Sequence, residues 1–167
     1  NLPERSDNPN LSNQPEDRGG FIYHPGESKA GEVIDGEAKR AALRSYGSIS
    51  YAGMMSFAYA RIGKDDDRVR AVIDWLGRSY TLNENPGMGQ EGLYYYFHLM
   101  SKALRAQGVK TLKGPDSKSI DWKNELAAKL ISLQNGDGSW ENSNKRWMEG
   151  DPNLTTSYVL VALSLLV

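Results

Sequence analysis

From about residue 48 onward apolar residues recur at helical spacing, and their distribution around the helix changes from one segment to the next. The first segment begins at Ser48 or Ser50, either of which suits a cap, and runs to about Ile62. Tyr51, Met54, Met55, Phe57, Ala58, Tyr59 and Ile62 surround it, and a helix apolar on nearly all sides belongs among other helices. Asp65-Asp66-Asp67 opens a second helix to about Tyr80. Val69, Val72, Ile73 and Leu76 follow i, i+3, i+4, i+7 spacing there, which leaves one wet face. Leu93 to Ala106 is again apolar all round, and Gly108 ends it. Asp121 caps a fourth helix to about Leu133, amphipathic through Trp122, Leu126, Leu130 and Leu133. Asp151-Pro152, an N-cap followed by proline at the first helical position, opens a strongly apolar fifth helix to Val167. The order buried, amphipathic, buried, amphipathic, buried predicts stacked α-hairpins with inner and outer helices. No segment alternates at period two over a useful length, so strands are expected only as short pairings in loops.

The remainder divides the chain in two. Residues 1–46 form an irregular N-terminal segment rich in Pro, Gly, Asn and charge, and residues 47–167 form the α-hairpin repeat domain. Within the first, Gly19 to Gly26 reads as a tight loop and Glu27 to Tyr46 as a polar excursion. Within the second, Asn83–Gly92, Lys110–Ile120 and Asn135–Asp151 are polar connections.

Composition narrows the chemistry. The chain has 167 residues, 39% hydrophobic and 25% charged, with a net charge of -1. No basic stripe stands out, so a nucleic-acid partner is not expected. There is no cysteine, which removes disulfides, cysteine nucleophiles and thiolate zinc sites. No apolar run reaches the roughly 18 residues of a membrane span, so no transmembrane segment is expected.

The loops that lead into the apolar helices look alike. The clearest runs Leu130-Ile131-Ser132-Leu133-Gln134-Asn135-Gly136-Asp137-Gly138-Ser139-Trp140. It fits Leu-x3-Gln, a short spacer, then Gly-x-Trp. Gln14 through Gly19-Gly20-Phe21 is a second copy with Phe for Trp, and Trp75-Leu76-x3-Tyr80 keeps the helix half of a third. A glutamine at a helix end can bond orphan carbonyls while a ring covers it, so Gln14, Phe21, Trp75, Gln134, Gly138 and Trp140 are expected to be structural. This motif resembles the Gln-Trp repeat of squalene-hopene cyclases, and the chain is similar in that respect to the terpenoid cyclase and protein prenyltransferase β-subunit superfamily. The resemblance implies an all-α fold, an α/α toroid of inner and outer helices. This chain would supply an incomplete arc of a larger ring, completed by the rest of a longer parent chain or by a homo-oligomer.

The motifs that define enzymes of that superfamily are not matched. Asp65-Asp66-Asp67 lacks the Asp-x-Asp-Asp spacing of the cyclase proton donor and stands where acids cap a helix. Tyr96-Phe97-His98-Leu99 looks like the histidine element of the prenyltransferase zinc site, but no Asp-x-Cys lies near Gly47 to Ser50, so neither a metal nor a cofactor is expected. Met88 stands where the cysteine of the thioester loop of complement-like toroids would be. Glu91 in that stretch is expected to favour the first turn of a helix.

Candidate chemistry therefore rests on a few residues. The run Tyr94-Tyr95-Tyr96-Phe97 covers about 300° of a helix, so at least one ring points to an interior. Tyr51, Tyr94, Tyr95 and Trp147 are the candidate walls of an apolar or sugar-binding cavity, with His98, Glu91 and Asp151 as its polar or catalytic groups. Core packing accounts equally for the aromatics, and capping for Asp151. His24, beside Pro25, has no evident partner. Three functions are consistent with this pattern. One is a cyclase-like or transferase-like region acting on an isoprenoid or other apolar small molecule, with its acids elsewhere. The second is a non-catalytic toroid that binds a ligand or protein. The third is a polysaccharide-active toroid, on fold analogy alone.

Overall fold

The computed structural model describes residues 1–35 and 40–167. Five α-helices occur among them: α1 (Gly47–Tyr59), α2 (Asp67–Arg78), α3 (Leu93–Ala106), α4 (Trp122–Ser132) and α5 (Pro152–Ser164). The chain is mostly helical. Two short sheets stand where polar connections were expected: β1 (Glu32–Asp35) with β2 (Arg40–Leu43), and β3 (Leu112–Lys113) with β4 (Ser119–Ile120). Both pairs are antiparallel. Residues 36–39 of the polar excursion lie outside the described residues.

Local chemistry sets most helix ends. Asp66, Asp121 and Asp151 cap α2, α4 and α5, each carboxylate accepting a backbone N–H from the first turn. α3 closes by a Schellman arrangement, with Gly108 left-handed and the Val109 N–H bonded to the Leu104 carbonyl at 2.9 Å. α1 closes the same way three residues short of Ile62. Arg61 takes the left-handed position, and the Ile62 N–H reaches the Phe57 carbonyl at 2.9 Å. Ser48 and Ser50 do not cap α1. Its N-cap is Tyr46, without a side-chain bond, and the Ser50 hydroxyl instead donates back to the Tyr46 carbonyl.

α3 is the central helix, with α1 packed along one side and α5 along the other. α2 packs against α1 and β3. α2 and α4 each bury one face in the common core, through Val69, Val72, Trp75 and Leu76 in α2 and through Trp122, Leu126 and Leu130 in α4. Of the three helices read as apolar on all sides, only α3 is buried on most of them. α5 buries Thr155, Val159 and Ala162 and leaves Leu160 and Val161 exposed, and α1 leaves Tyr59 exposed, because each lies at an end of the row with fewer elements to cover it. Burying each large side chain of this core contributes roughly 1.5–3 kcal/mol. β3 crosses α2 at Gly77, where an added Cβ would lie 2.1 Å from the Lys113 carbonyl oxygen. Only glycine admits that crossing. The β3–β4 register pairs Leu112 with Ile120 and buries both. This explains why a polar linker pairs at all, since its two apolar residues meet on the core side.

The repeat motif is structural, with its parts arranged differently from expectation. Gln134 is exposed, and its amide donates to the Gly138 carbonyl within the turn, where Gly138 takes φ 87°. The Trp140 indole, not the glutamine, donates to the Leu130 carbonyl in the last turn of α4, at 2.7 Å. The ring is buried, so its one polar atom must be bonded there, while Gln134 has water available. The two partial copies meet, since the Trp75 indole of the third donates to the Glu16 carbonyl of the second at 2.6 Å, and Phe21 packs edge-on against Phe57. Gln14 contributes its backbone carbonyl to the Asp17 N–H. His24 meets Glu27, a partner the sequence did not suggest, at 3.0 Å. Among the described residues no helix is long and apolar enough to cross a membrane.

Candidate functional site

Two loops shape the candidate site, the connection from α2 to α3 and the connection from α4 to α5. The first places Asn85, which is 1% exposed, against the start of α1. Its Oδ1 accepts the Ser48 N–H at 3.0 Å, and its Nδ2 donates to the Ser48 hydroxyl and to the Glu91 carbonyl. The second places Glu149, fully buried, against the start of α3. Its carboxylate accepts the Tyr95 N–H at 2.7 Å and the Tyr94 N–H at 3.2 Å, and the Asn142 amide donates to it at 2.8 Å. α3 has no cap of its own, since Gly92 stands at its N-cap. Glu149 is therefore the side chain that satisfies its first N–H groups and the positive end of its dipole. Burial raises the Glu149 pKa, and the hydrogen bonds from Asn142, Tyr95 and Tyr94 oppose that rise.

Between these loops and the segment around residues 23–29 lies a cavity of about 370 Å³. Tyr23, Tyr46, Tyr95, Trp147 and Tyr158 supply its aromatic wall, with Met88, Lys29 and Glu91 among the other lining residues. Glu91 does not serve as the helix cap expected of it, because its carboxylate faces Arg146 at 3.4 Å and the capping position is taken by Glu149. Lys29 is held by Glu27 and lies 4.8 Å from the centre of the Tyr23 ring, and Arg146 lies 4.9 Å from the centre of the Trp147 indole. Burial pushes the Tyr46 phenol up to about 12 and raises Tyr95 and Tyr158, so all three remain neutral donors near neutral pH.

Trp147 and Met148 adopt left-handed backbone, with φ of 58° and 63°. For side chains of this size that conformation costs about 1 kcal/mol each and persists only where the surroundings fix it. Glu149, the next residue, is the anchor that fixes it. The Asn142 N–H to Glu149 carbonyl bond at 2.8 Å closes the same loop. Trp147 is 49% exposed, whereas Trp75, Trp122 and Trp140 are all buried.

The structure gathers some of the candidates and separates others. Glu91, Tyr95 and Trp147 line the cavity. His98 stands beside it, its ring 5.1 Å from Tyr158 and stacked on Tyr95 at 6.5 Å. Its Nδ1 is buried with no hydrogen-bond partner, and burial, followed by the charge of Lys102, lowers its pKa. Asp151 is occupied in capping α5, where it accepts the Asn153 N–H at 2.9 Å, and does not line the cavity. Tyr51 and Tyr94 are core residues rather than walls. Tyr51 lies against Tyr96 with its hydroxyl buried, and Tyr94 packs edge-on against Phe97. A helix that starts beneath a loop has only one face open to it, and on α3 that face carries Tyr95.

Tyr23, Tyr46, Tyr158 and the anchor Glu149 escaped the sequence reading. Tyr158 carried a weak signal, as a polar-tipped aromatic in an otherwise aliphatic helix. Glu149 carried none, because it meets its partners across 54 and 55 residues. Among the described residues no group of three His, Cys, Asp or Glu could hold a metal ion. No family model, curated protein or solved structure matches this chain.

Proposed function

We propose that this chain is an arc of an α/α toroid, of the squalene-hopene cyclase-like repeat type, that serves as a non-catalytic ligand-binding module. The observation that carries the binding reading is the convergence of Tyr23, Tyr46, Tyr95, Trp147 and Tyr158 on one solvent-accessible cavity. A concave, mostly aromatic pocket with a few polar groups is the usual form of a small-molecule site. Binding is favoured over chemistry because each candidate acid is already engaged. Glu91 faces Arg146, Asp151 caps α5, and Glu149 caps α3. The ring reading is supported by the row α1–α3–α5 and by the Trp140 device, which belongs to the repeat the sequence resembles.

The test uses N-phenyl-1-naphthylamine, a small uncharged probe that fluoresces on apolar surface. Met88→Glu places a charge in the cavity at a loop position away from the helix core. The probe should bind the native chain, and Met88→Glu should abolish that binding with little change in melting temperature. Probe binding that survives Met88→Glu unchanged would overturn the cavity as the binding site.

The cyclase-like enzyme reading remains a second proposal on one ground. His98 has an unsatisfied buried nitrogen next to the cavity wall, the kind of group a reaction can use. Its carboxylate partner would have to come from outside the described residues.

A further inference from the structure

Resting on the proposal that the aromatic cavity binds a ligand, we infer that this ligand is a neutral saccharide chain and that Trp147 is its stacking platform. Three observations select the class. First, the charges at the cavity are already paired: Lys29 with Glu27, and Glu91 with Arg146. A cationic ligand would have to compete with Lys29 and Arg146, which already lie over the Tyr23 and Trp147 rings. An anionic ligand would meet Glu91, so a neutral ligand fits better than either ion.

Second, the rings stand at an open mouth. Tyr23 is 53% exposed, Tyr95 41% and Trp147 49%. A wholly apolar chain gains from full enclosure, which these half-wet rings do not give. A pyranose ring suits them. It presents a C–H face to an aromatic plane and a rim of hydroxyls to water and to hydrogen-bonding groups. The Tyr95 and Tyr158 hydroxyls make no hydrogen bond with the described residues, so they are available to such a rim. The open mouth lets neighbouring units of an oligosaccharide extend outward.

Third, the platform is pre-organised. Trp147 keeps a left-handed backbone in a loop that glycine would relax. Arg146 lies over one face of the indole, and the ring still lines the cavity. The neighbouring Glu149 is tied to the first N–H groups of α3, which also carries Tyr95. Glu149 is therefore a positioning residue that fixes the indole relative to Tyr95. A ring held rigidly in this way loses little entropy on stacking a ligand.

The experiment displaces N-phenyl-1-naphthylamine with cellohexaose, chitohexaose or farnesol. Intrinsic emission is followed in parallel, since Trp147 is the one half-exposed tryptophan and dominates any change at the mouth. Cellohexaose or chitohexaose should displace the probe and shift the emission to the blue. Trp147→Ala should weaken displacement by about tenfold, and Trp147→Phe, which keeps a ring, by no more than about threefold. Glu149→Gln should weaken sugar binding while leaving the emission maximum of the free protein red-shifted. Displacement by farnesol alone would overturn the saccharide inference and leave the binding cavity standing. Sugar displacement equal in Trp147→Ala and the native chain would overturn the platform. A probe insensitive to Met88→Glu would overturn the cavity and the saccharide inference together.

Discussion

The loop before α3 and the loop before α5 solve the same problem with different residues. Each sends one buried polar side chain back onto the N-terminus of the preceding helix in the row. Asn85 does so for α1 and Glu149 for α3. Each also needs left-handed backbone to turn. The first loop uses Gly87, Gly89 and Gly92, at φ of 83°, 58° and 65°. The second uses Gly138 just after α4, at φ of 87°, and then Trp147 and Met148, where the same conformation is strained. Strain of this kind is retained where the side chain itself is needed. Both loops line the cavity, but where the second one turns beside it, left-handed non-glycine residues present an indole there.

The charge of the cap gives the largest test of that comparison. Glu149→Ala would leave the Tyr94 and Tyr95 N–H groups without an acceptor in a dry site, and the Asn142 amide with only the Gln90 carbonyl. A loss of about 3 kcal/mol is expected in denaturant unfolding. Asn85→Ala, which removes a neutral cap, should lose about 2 kcal/mol. Equal losses, or a larger one at Asn85, would show that the donors stranded at α3 cost no more than those stranded at α1.

The backbone gives a smaller, paired test. Nothing lies within 4 Å of a Cβ added at Gly89, so Gly89→Ala isolates the conformational cost and should destabilise by about 1 kcal/mol. Met148 is 70% exposed, so Met148→Gly removes little packing and should stabilise by about 1 kcal/mol. Thermal unfolding of the two variants should move in opposite directions. If Met148→Gly instead destabilises, its backbone is not strained in solution.

The smallest effects lie in pH dependence, and their signs differ. Burial raises the Glu149 pKa. Just above the ordinary carboxylate range the folded chain then binds more protons than the unfolded chain, and stability falls as pH rises through that window. Glu149→Gln should remove this slope. His98 acts in the other direction. Its pKa is lowered, so the unfolded chain takes up the proton first, and stability is lost as pH falls below the ordinary histidine range. His98→Gln should flatten that limb only. An unchanged profile in either variant would mean that the residue is more solvated than its burial indicates.

The comparison also shows which parts of the molecule were legible in advance. Asp66, Asp121 and Asp151 were readable as caps because each bonds an N–H two or three residues away. The apolar stripes of α2 and α4 were readable as buried faces, whereas the all-round apolar pattern of α5 overstated its burial, since Leu160 and Val161 stay exposed. Asn85 as the cap of α1 was not readable, since it acts across 37 residues and displaces the nearer Ser48 and Ser50. Glu91 looked like the acid for α3, yet it faces Arg146, and the N–H groups of α3 are held by Glu149. Tyr94 and Tyr95 are adjacent and chemically identical in the sequence. One is core and the other lines the cavity because successive helical positions point about 100° apart.

By itself, then, the sequence determined which segments are helical, which aspartates cap three of them, and which face α2 and α4 bury. These properties depend on residues within a turn or two of one another. The tertiary structure alone decided which loop caps which helix, that the Trp140 indole rather than Gln134 bonds the end of α4, and that Tyr23, Tyr46, Tyr95, Trp147 and Tyr158 share one cavity. Those partners are brought together only when the helices pack, and a buried donor then bonds whatever acceptor the packing leaves within reach.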